Sequence, residues 1–508
     1  MSNVLPISWI LSELREITEI GPKFEGKDVN GDQLVHFVPM AAVAEEFASV
    51  NVSQLRPLCE VRKGYTYFLE GDVLFAKITP CMENGKGGLV PDLLYKHAFG
   101  STEFHVLRSF DGIKPKWVAY YLSQSQFRKV AQHNMTGTAG QLRVPTKWLG
   151  TVTLPVAPTN EQTRIVEKLE ELLSDLDEGV AELKTAQKKL ALYRQSLLKA
   201  AVEGALTTEW RKQNKPSDTG AQLLERILTE RRTRWEAKQL AKLKEQGKTP
   251  PQDWQKKYPE PVQPNTMDLP ELPEGWAWAT IDQLSFVVRG ASPRPAGDPR
   301  YFGGVIPWIT VGSLTADEDM YLVEVDQFVT EAGKEASRFI EPNTLLLTNS
   351  GATLGVPKIT KIGGCINDGS VAFLDIEEAR KIYLYWYLST QTKKLRALNQ
   401  GAAQPNLNTD IVRKICVPIC SSDELEEINR VLEAAAHSIK EQAKAVNHSL
   451  KQSAAQRQNI LRAAFSGQLV PQDPNDEPAS VLLERIRAER AARETDRKPR
   501  ERKAKKNA

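Results

Sequence analysis

The sequence has few of the residues that would suggest a metal centre or a disulfide framework. Its 508 residues include five cysteines and six histidines, and the cysteines do not stand at metal-ligand spacing from the histidines. An odd number of cysteines predicts free thiols in a reducing compartment. The sequence shows neither a secretion signal nor an apolar run of membrane-spanning length, so we expect a cytoplasmic protein.

The sequence also lacks the motifs of common nucleotide-dependent and DNA-modifying enzymes. It has no G-x-x-x-x-G-K-[ST] phosphate loop, no helicase signature, no H-E-x-x-H pair, and no Asn-Pro-Pro-aromatic or Asp-Pro-Pro-aromatic methyltransferase motif. Pro91, Asp92 and Glu103 resemble the start of a nuclease motif, but His105 stands where that motif has lysine. We therefore predict a non-catalytic chain without a metal or cofactor of its own.

The charge of the chain is small overall and uneven along its length. The net charge is +3, so the protein has no strong global attraction for a polyanion. Residues 484–506 contain eleven Lys and Arg against five Asp and Glu, which leaves the remainder slightly acidic. Any surface that binds nucleic acid must therefore be local.

The strongest pattern in the sequence is a leucine heptad repeat within residues 160–204. Five leucines recur every seven residues: Leu169, Leu176, Leu183, Leu190 and Leu197. Thr159 and Gln162 have the spacing of a capping box, and Gly204 stands where a left-handed C-terminal cap would fall. A helix of roughly 65 Å cannot bury its own leucine seam, so the pattern predicts a coiled-coil partner.

The partner helix is present in the same chain, because the sequence repeats itself with a shift of 263 residues. Gln141, Ile165 and Gly204, for example, correspond to identical residues at 404, 428 and 467. Of the five seam positions, four remain apolar in the second copy, and these are Leu432, Ile439, Val446 and Ile460. The chain is therefore an internal duplication of a domain followed by a long helix.

The repeat predicts an α+β fold with two mixed α/β domains separated by two long helices that pair as an antiparallel coiled coil. We assign residues 1–157 and 269–420 to the domains, 158–206 and 421–470 to the helices, 207–268 to a charged helix and Pro-rich linker, and 471–508 to a basic C-terminal helix and tail. The same five letters, Leu-Leu-Glu-Arg-Ile, occur at 223–227 and 482–486. These two stretches are predicted to be either docking faces or helices packed on the long rods.

Each domain contains two loops rich in glycine, amide, hydroxyl and basic side chains, at 77–88 and 136–143 and at 348–358 and 400–408. Such side chains bind base edges and phosphates, and glycine allows close approach. A single loop of this kind favours an ordinary hairpin connection, but its recurrence in the second copy favours DNA binding. The candidate DNA-binding residues are Lys77, Thr79, Asn84, Lys86, Gln141, Arg143, Asn349, Ser350, Lys358, Gln404 and Asn406.

This organisation resembles the specificity (S) subunit of Type I restriction–modification systems. The resemblance rests on Leu154–Val166 and on Arg194–Gly204, which is repeated at Arg457–Gly467. The second copy departs from the Glu-Gln pair at the start of the first long helix, because Leu425 follows Glu424. This departure leaves the predicted architecture intact, but the sequence no longer predicts that the two helix starts work alike.

The resemblance implies that each domain is a target-recognition domain for one half of a bipartite double-stranded DNA site. The helices would set the spacer and dock two modification (methyltransferase) subunits and the restriction subunits. S-adenosylmethionine, ATP and magnesium would belong to those partners. Two alternatives remain open: a coiled-coil scaffold whose duplicated domains bind protein, and a self-contained endonuclease-methyltransferase, against which the missing methylation motifs argue.

Overall fold

A computed structural model describes residues 5–26, 29–138, 140–397 and 407–504, with side chains as far as residue 492. The chain divides into two compact units, residues 1–185 with 446–508 and residues 186–445. The division passes through both long helices, Thr159–Val202 and Ser422–Phe465. Each unit therefore contains one mixed domain and a part of each helix.

The domain of the first unit precedes the first long helix. Its elements are β1 (Ile10–Glu13), α1 (Leu14–Ile17), β2 (Thr18–Ile20), β3 (Leu34–Val38), β4 (Leu55–Pro57), α2 (Leu58–Val61), β5 (Thr66–Phe68), β6 (Val73–Ala76), β7 (Gly87–Leu89), β8 (Ala98–Gly100), β9 (Phe104–Ser109), α3 (Pro115–Ser123), α4 (Ser125–His133), α5 (Thr146–Thr151) and β10 (Thr153–Val156). The first long helix follows as α6 (Thr159–Val202). Short 3-10 turns lie at Met40–Ala42 and Glu45–Phe47.

The domain of the second unit follows two linking helices. The elements are α7 (Thr208–Gln213), α8 (Gly220–Glu245), β11 (Ala277–Thr280), α9 (Ile281–Leu284), β12 (Phe286–Arg289), β13 (Phe302–Ile309), α10 (Val311–Leu314), β14 (Tyr321–Leu322), β15 (Phe328–Val329), α11 (Glu331–Glu335), β16 (Arg338–Ile340), β17 (Leu345–Thr348), β18 (Pro357–Thr360), β19 (Gly364–Ile366), β20 (Ser370–Leu374), α12 (Glu378–Ala397), α13 (Thr409–Arg413) and β21 (Cys416–Ile419). The second long helix is α14 (Ser422–Phe465), and α15 (Ala479–Ala504) ends the described chain.

The two domains share their strand order except for one additional edge strand, β14, in the second, which confirms the duplication at the level of the fold. One sheet runs β2-β9-β6-β7 in the first domain and β12-β20-β17-β18-β14 in the second. The other runs β4-β3-β8-β5 and β15-β13-β19-β16, with β3·β8 and β13·β19 as equivalent parallel pairs. In both copies the first strand pairs antiparallel with the strand before the long helix, so that Ile10 faces Val156 and Ala277 faces Ile419.

The central strands are buried along their whole length because both faces of each sheet are covered. All four residues of β6 and all four of β17 are buried. Helix α3 packs Trp117, Val118 and Leu122 against this core in the first domain, with the one-sided spacing of an amphipathic helix. The same core includes Ile165 of α6, so the domain and the long helix share one hydrophobic interior.

Helices α6 and α14 pack together, as the leucine pattern predicts. In the first unit Leu169 of α6 and Leu461 of α14 lie in one core, and Arg457 forms an ion pair with Asp177 at 2.6 Å. In the second unit Leu198 of α6 shares a core with Leu432 of α14. The pairing is antiparallel. Among the predicted seam residues Leu169, Leu432 and Ile439 are buried, and the remainder are half-buried: Leu176, Leu183, Leu190, Leu197, Val446 and Ile460.

The two ends of α6 differ in how well the sequence predicted them. Gly204 adopts a φ of +73° and its repeat Gly467 a φ of +72°, which confirms the left-handed caps. The prediction of a capping box at Thr159 and Gln162 is wrong. The Thr159 hydroxyl donates to Gly112 O at 2.9 Å and the Gln162 amide to Ala157 O at 2.8 Å, so both side chains fasten the helix to the domain.

The two Leu-Leu-Glu-Arg-Ile stretches pack on the globular domains rather than on the rods alone. Leu223 and Ile227 of α8 lie in the core of the second domain, whereas Leu482 and Ile486 of α15 lie in the core of the first. Each domain is thus completed by a helix that follows the long helix of the other copy. The Pro-rich segment also lies against its unit, since Val262 accepts a hydrogen bond from the Thr280 hydroxyl at 2.7 Å.

Candidate functional site

The two candidate loops of the first domain lie side by side at the end of β6. The backbone N–H of Lys77 donates to Glu103 O at 2.9 Å, and its carbonyl accepts from Val144 N at 2.8 Å. Two residues on, Thr79 N–H donates to Leu142 O at 3.0 Å. The structure therefore brings together residues 77–88 and 136–143, which are separated by about fifty residues of chain.

Arg143 is held at the centre of this pair of loops. Its guanidinium donates twice to the Glu103 carboxylate, through Nε and Nη2 at 2.9 Å each, and Nη1 donates to Gln141 O at 3.1 Å. These hydrogen bonds hold the pKa of Glu103 below its usual value. The guanidinium is still 41% exposed, so it is open to a further acceptor.

His105 lies beneath the same loops and is a structural residue rather than a metal ligand. Its Nε2–H donates to the carbonyl of Val144 at 2.8 Å, which fixes the tautomer of the ring. Burial lowers the pKa of His105, with the neighbouring Lys77 charge acting in the same direction. The imidazole is therefore neutral at physiological pH.

Two other candidates of the first domain, Asn84 and Lys86, are fastened to the loop at residues 40–47. The exposed Asn84 donates through Nδ2 to Glu45 Oε1 at 2.9 Å, and the half-buried Lys86 donates through Nζ to Met40 O at 3.4 Å. Gln141 is exposed. This part of the site presents amide and ammonium groups on a braced backbone.

The second domain repeats the same backbone junction at Asn349. Its N–H donates to Gly369 O at 2.9 Å, and its carbonyl accepts from Leu407 N at 2.7 Å. Asn349 thus occupies the place that Lys77 occupies in the first domain. The predicted loops begin at Lys77 and Thr348, one residue out of this register, because side-chain type cannot fix the register of two diverged strands.

The candidate side chains of the second domain are more enclosed. The Asn349 side chain is fully buried, and neither its Oδ1 nor its Nδ2 has a hydrogen-bond partner among the residues described. Lys358 is 1% exposed, and its ammonium group bonds the Asp317 carboxylate and, at 3.2 Å, the Asp317 carbonyl. Lys358 would have to leave Asp317 to bind DNA. Ser350 is half-buried, and Gln404 and Asn406 lie outside the described residues.

Sequence reasoning missed a polar cluster beside the Asn349 loop. Asp368 accepts from the Ser292 hydroxyl at 2.6 Å and from Arg294 Nη2 at 3.2 Å, and its carbonyl accepts from Arg289 Nε at 3.0 Å. Both arginines are exposed. The sequence signal for this cluster was the pair of arginines at the end of β12 and just after it. These arginines lie outside the two glycine-bearing loops.

The part of the chain that the structure describes has neither a metal centre nor a membrane-spanning helix. There, no three His, Cys, Asp or Glu side chains are grouped so that they could hold a metal ion. Within the same residues, every helix is too short or too polar to cross a membrane.

Part of the chain is similar to a known protein family. Residues 273–448 match the family model described as a Type I restriction modification DNA specificity domain. The specificity subunit of the Escherichia coli Type I restriction enzyme EcoAI is 29% identical over 329 residues, which cover 56% of this chain and 52% of that subunit. For the EcoEI specificity subunit of the same species the values are 28%, 58% and 54%. The chain spans about half the length of these two relatives.

Solved structures share the fold over nearly the whole chain. A chain from a structure of the assembly and conformational transition of a type I R-M system matches with a TM-score of 0.65 at 18% identity, covering 92% of this chain and 99% of that one. The HsdS subunit from Thermoanaerobacter tengcongensis matches with a TM-score of 0.51 at 18% identity, covering 91% and 98%. At this level of identity the likeness concerns the fold.

Proposed function

We propose that the chain is a member of the family of Type I restriction–modification specificity subunits and the DNA-recognition subunit of such a system. The match of residues 273–448 to the specificity domain of that family supports this proposal. Each mixed domain binds one half of a bipartite double-stranded DNA site through its own candidate loops. Helices α6 and α14 set the spacer between the half-sites.

One observation supports this proposal above the others. The two domains have the same backbone junction at the end of the central strand, but one places Lys77 there and the other Asn349. Lys77 is a half-buried cation and Asn349 is a neutral, fully buried amide, so the two loops differ in charge and in hydrogen-bonding groups. A duplicated framework with different loop chemistry is what recognition of two different half-sites requires.

The proposal includes partner proteins, because a net charge of +3 on 508 residues gives little electrostatic affinity for DNA. We assign two modification subunits to each chain, one for each repeat, together with restriction subunits. S-adenosylmethionine, ATP and magnesium are bound by those partners. This chain contributes recognition and positioning and performs no catalytic step.

The test is an exchange of the recognition region alone. Residues 21–145 are replaced by the corresponding region of another specificity subunit, which keeps β1, α1, α5, β10 and their contacts with α6 and α15. Sequencing of methylated adenines in cells that contain the modification subunits should show a change in one half of the methylated motif. The reciprocal exchange of residues 290–408 should change the other half.

A change in both halves after either exchange would contradict the assignment of one half-site to each domain. The alternative of a protein-binding scaffold predicts a different result, because such a chain would show neither a methylated motif nor a gel shift with its modification subunits. The methylated motif and the gel shift of the unaltered chain therefore distinguish the two proposals before any exchange is made.

A further inference from the structure

Each domain braces the glycine turn of its first candidate loop with an arginine from the helix that packs beside the sheet. In the first domain this is Arg128 of α4 beside Gly85, and in the second it is Arg396 of α12 beside Gly355. The glycines adopt φ values of +70° and +83°. The recurrence of this arrangement in two diverged domains indicates a common role.

Arg128 is buried and contacts the loop at residues 45–47 through a single nitrogen, Nη2. Its Nη2 donates to Glu46 Oε1 at 3.0 Å and to Oε2 at 2.9 Å, and its side chain is only 9% exposed. Its Nη1 has no hydrogen-bond partner among the described residues. A Cβ atom at Gly85 would lie 1.7 Å from that nitrogen, so the guanidinium and the glycine turn fit directly against each other.

The segment that Arg128 holds is strained and binds the candidate loop. Glu46 and Phe47 adopt φ values of 55° and 58°, a region that side chains other than glycine rarely enter. In this conformation Glu46 N–H donates to Asn84 O at 3.2 Å and Phe47 N–H donates to Gly85 O at 2.9 Å. Strain of this kind persists only where surrounding contacts impose it, and Arg128 supplies such a contact.

The second domain reaches the same result with different bonds. Arg396 Nε donates to the carbonyl of Leu354 at 2.9 Å, and the Thr392 hydroxyl donates to the carbonyl of Gly355 at 2.7 Å. A Cβ atom at Gly355 would lie 3.4 Å from Thr392 Cα, so the helix and the turn are in close contact. Here the arginine holds the loop backbone directly.

We infer that Arg128 and Arg396 are positioning residues, each of which fixes the recognition loop of its own domain and so sets selectivity for one half-site. The inference rests on the proposed function. Recognition of a base edge requires donors and acceptors to be held closely in place, and a loop freed from its brace loses discrimination before it loses affinity for phosphate.

The experiment uses the full chain assembled with its modification subunits and three DNA duplexes. One duplex has the intact site, and each of the others has a base substitution in one half-site. The ratio of affinities for intact and substituted DNA measures discrimination at that half-site. The exchange of residues 21–145 identifies which half-site belongs to the first domain.

Arg128→Lys keeps the charge but removes the planar guanidinium, whose Nη1 lies against the Gly85 turn. We expect it to reduce discrimination about tenfold at the half-site of the first domain and to leave the other half-site unchanged. Arg396→Lys should give the reverse pattern. Arg108→Lys is the matched control. Arg108 also forms an ion pair, with Asp72 at 2.8 and 2.6 Å, but this pair lies at the start of β6, whereas the candidate loop follows the end of β6.

Glu46→Gln provides a second variant in case the buried Arg128 cannot be changed without unfolding. The Glu46 side chain is 64% exposed, so the substitution weakens the brace with little effect on the core. Equal loss of discrimination at both half-sites, or unchanged ratios in Glu46→Gln and Arg396→Lys with normal melting temperatures, would overturn the inference. A parent complex that shows no discrimination would overturn the proposed function itself, and this inference with it.

Discussion

The buried carboxylate of Glu424 accepts a hydrogen bond from the indole Nε1 of Trp276 at 3.1 Å and thereby joins the start of α14 to the second domain. In the first unit Glu161 accepts the same bond from Trp9 at 2.9 Å. Leu425 replaces Gln162 in the repeat, so the sequence left open whether the two helix starts work alike. The glutamate forms the junction in both copies, and the two starts therefore share the tryptophan contact.

The two glutamates differ in their other partners, and this predicts different sensitivities. Glu424 also bonds the guanidinium of Arg211, which is 19% exposed, whereas Glu161 bonds the neutral amide of Gln472 at 2.5 Å. Glu424→Ala removes the Trp276 bond and also the carboxylate partner of the half-buried Arg211, and should lower the free energy of unfolding by about 3–5 kcal/mol. Glu161→Ala removes hydrogen bonds to neutral donors and should cost about 1–3 kcal/mol.

Urea denaturation followed by tryptophan fluorescence measures both changes. Glu209→Ala is the control, because its ion pair with Lys212 is exposed and should be worth less than about 1 kcal/mol. Equal losses for the Glu161 and Glu424 variants would show that Arg211 does not depend on its carboxylate partner.

The buried His105 predicts a pH dependence of stability in the first domain. Burial lowers the pKa of His105 in the folded protein, so the unfolded chain binds a proton at a higher pH than the folded one. Stability should therefore fall as the pH drops below about 6.5, the value of an unperturbed histidine, and should go on falling until the folded pKa is reached. Urea titrations between pH 7.5 and pH 5 measure the slope.

His105→Gln should flatten this slope while keeping a donor for the Val144 carbonyl. His133→Gln is the comparison, because His133 is exposed on α4 and its loss should leave the slope in place. If the slope survived in His105→Gln, another group would be responsible for it.

The capping glycines predict a pair of matched stability changes. A Cβ atom at Gly204 would lie 2.6 Å from Pro273 Cγ, and one at Gly467 would lie 2.3 Å from Pro6 Cγ, in addition to the strain of a positive φ. Gly204→Ala and Gly467→Ala should each lower the free energy of unfolding by about 1–3 kcal/mol. Differential scanning calorimetry detects the lower melting temperatures.

Gly179→Ala serves as the opposite control. Gly179 lies within α6 with open space around its Cα, so alanine should stabilise the helix by up to about 1 kcal/mol. A destabilised Gly179→Ala variant, or neutral changes at both caps, would contradict the description of these helices.

Spacer length tests the proposed role of the long helices. Four residues inserted after Thr185 in α6 and four after Ala445 in α14 add about 6 Å and about 40° to each helix. Under the proposed function the unread spacer should lengthen by about two base pairs, at about 3.4 Å each, and both half-sites should stay the same. Methylome mapping reports the new motif.

Two-residue insertions at the same positions rotate each helix by about 200° and should abolish methylation. An unchanged spacer after the four-residue insertions would show that the helices do not set it. The Pro-rich segment between the helices and the second domain would then be the next element to examine.

The sequence alone determined the features of this protein that depend on local periodicity. A seven-residue leucine spacing predicts a paired helix wherever it occurs, and glycine at a helix end predicts a left-handed cap because other residues resist that φ. The internal repeat, with its shift of 263 residues, is visible from residue identities alone. The two candidate loops of each domain were visible for the same reason, since their composition is local.

Only the tertiary structure decided which distant residues act together. Arg128 and Glu46 are separated by 82 positions, and nothing in the residues beside either one predicts their contact. Thr159 and Gln162 have capping-box spacing, yet their side chains donate to the carbonyls of Gly112 and Ala157 instead of forming a capping box. The equivalence of Lys77 and Asn349, and the packing of Leu482 on the first domain and of Leu223 on the second, also depend on packing between segments far apart in the chain, which a local pattern cannot specify.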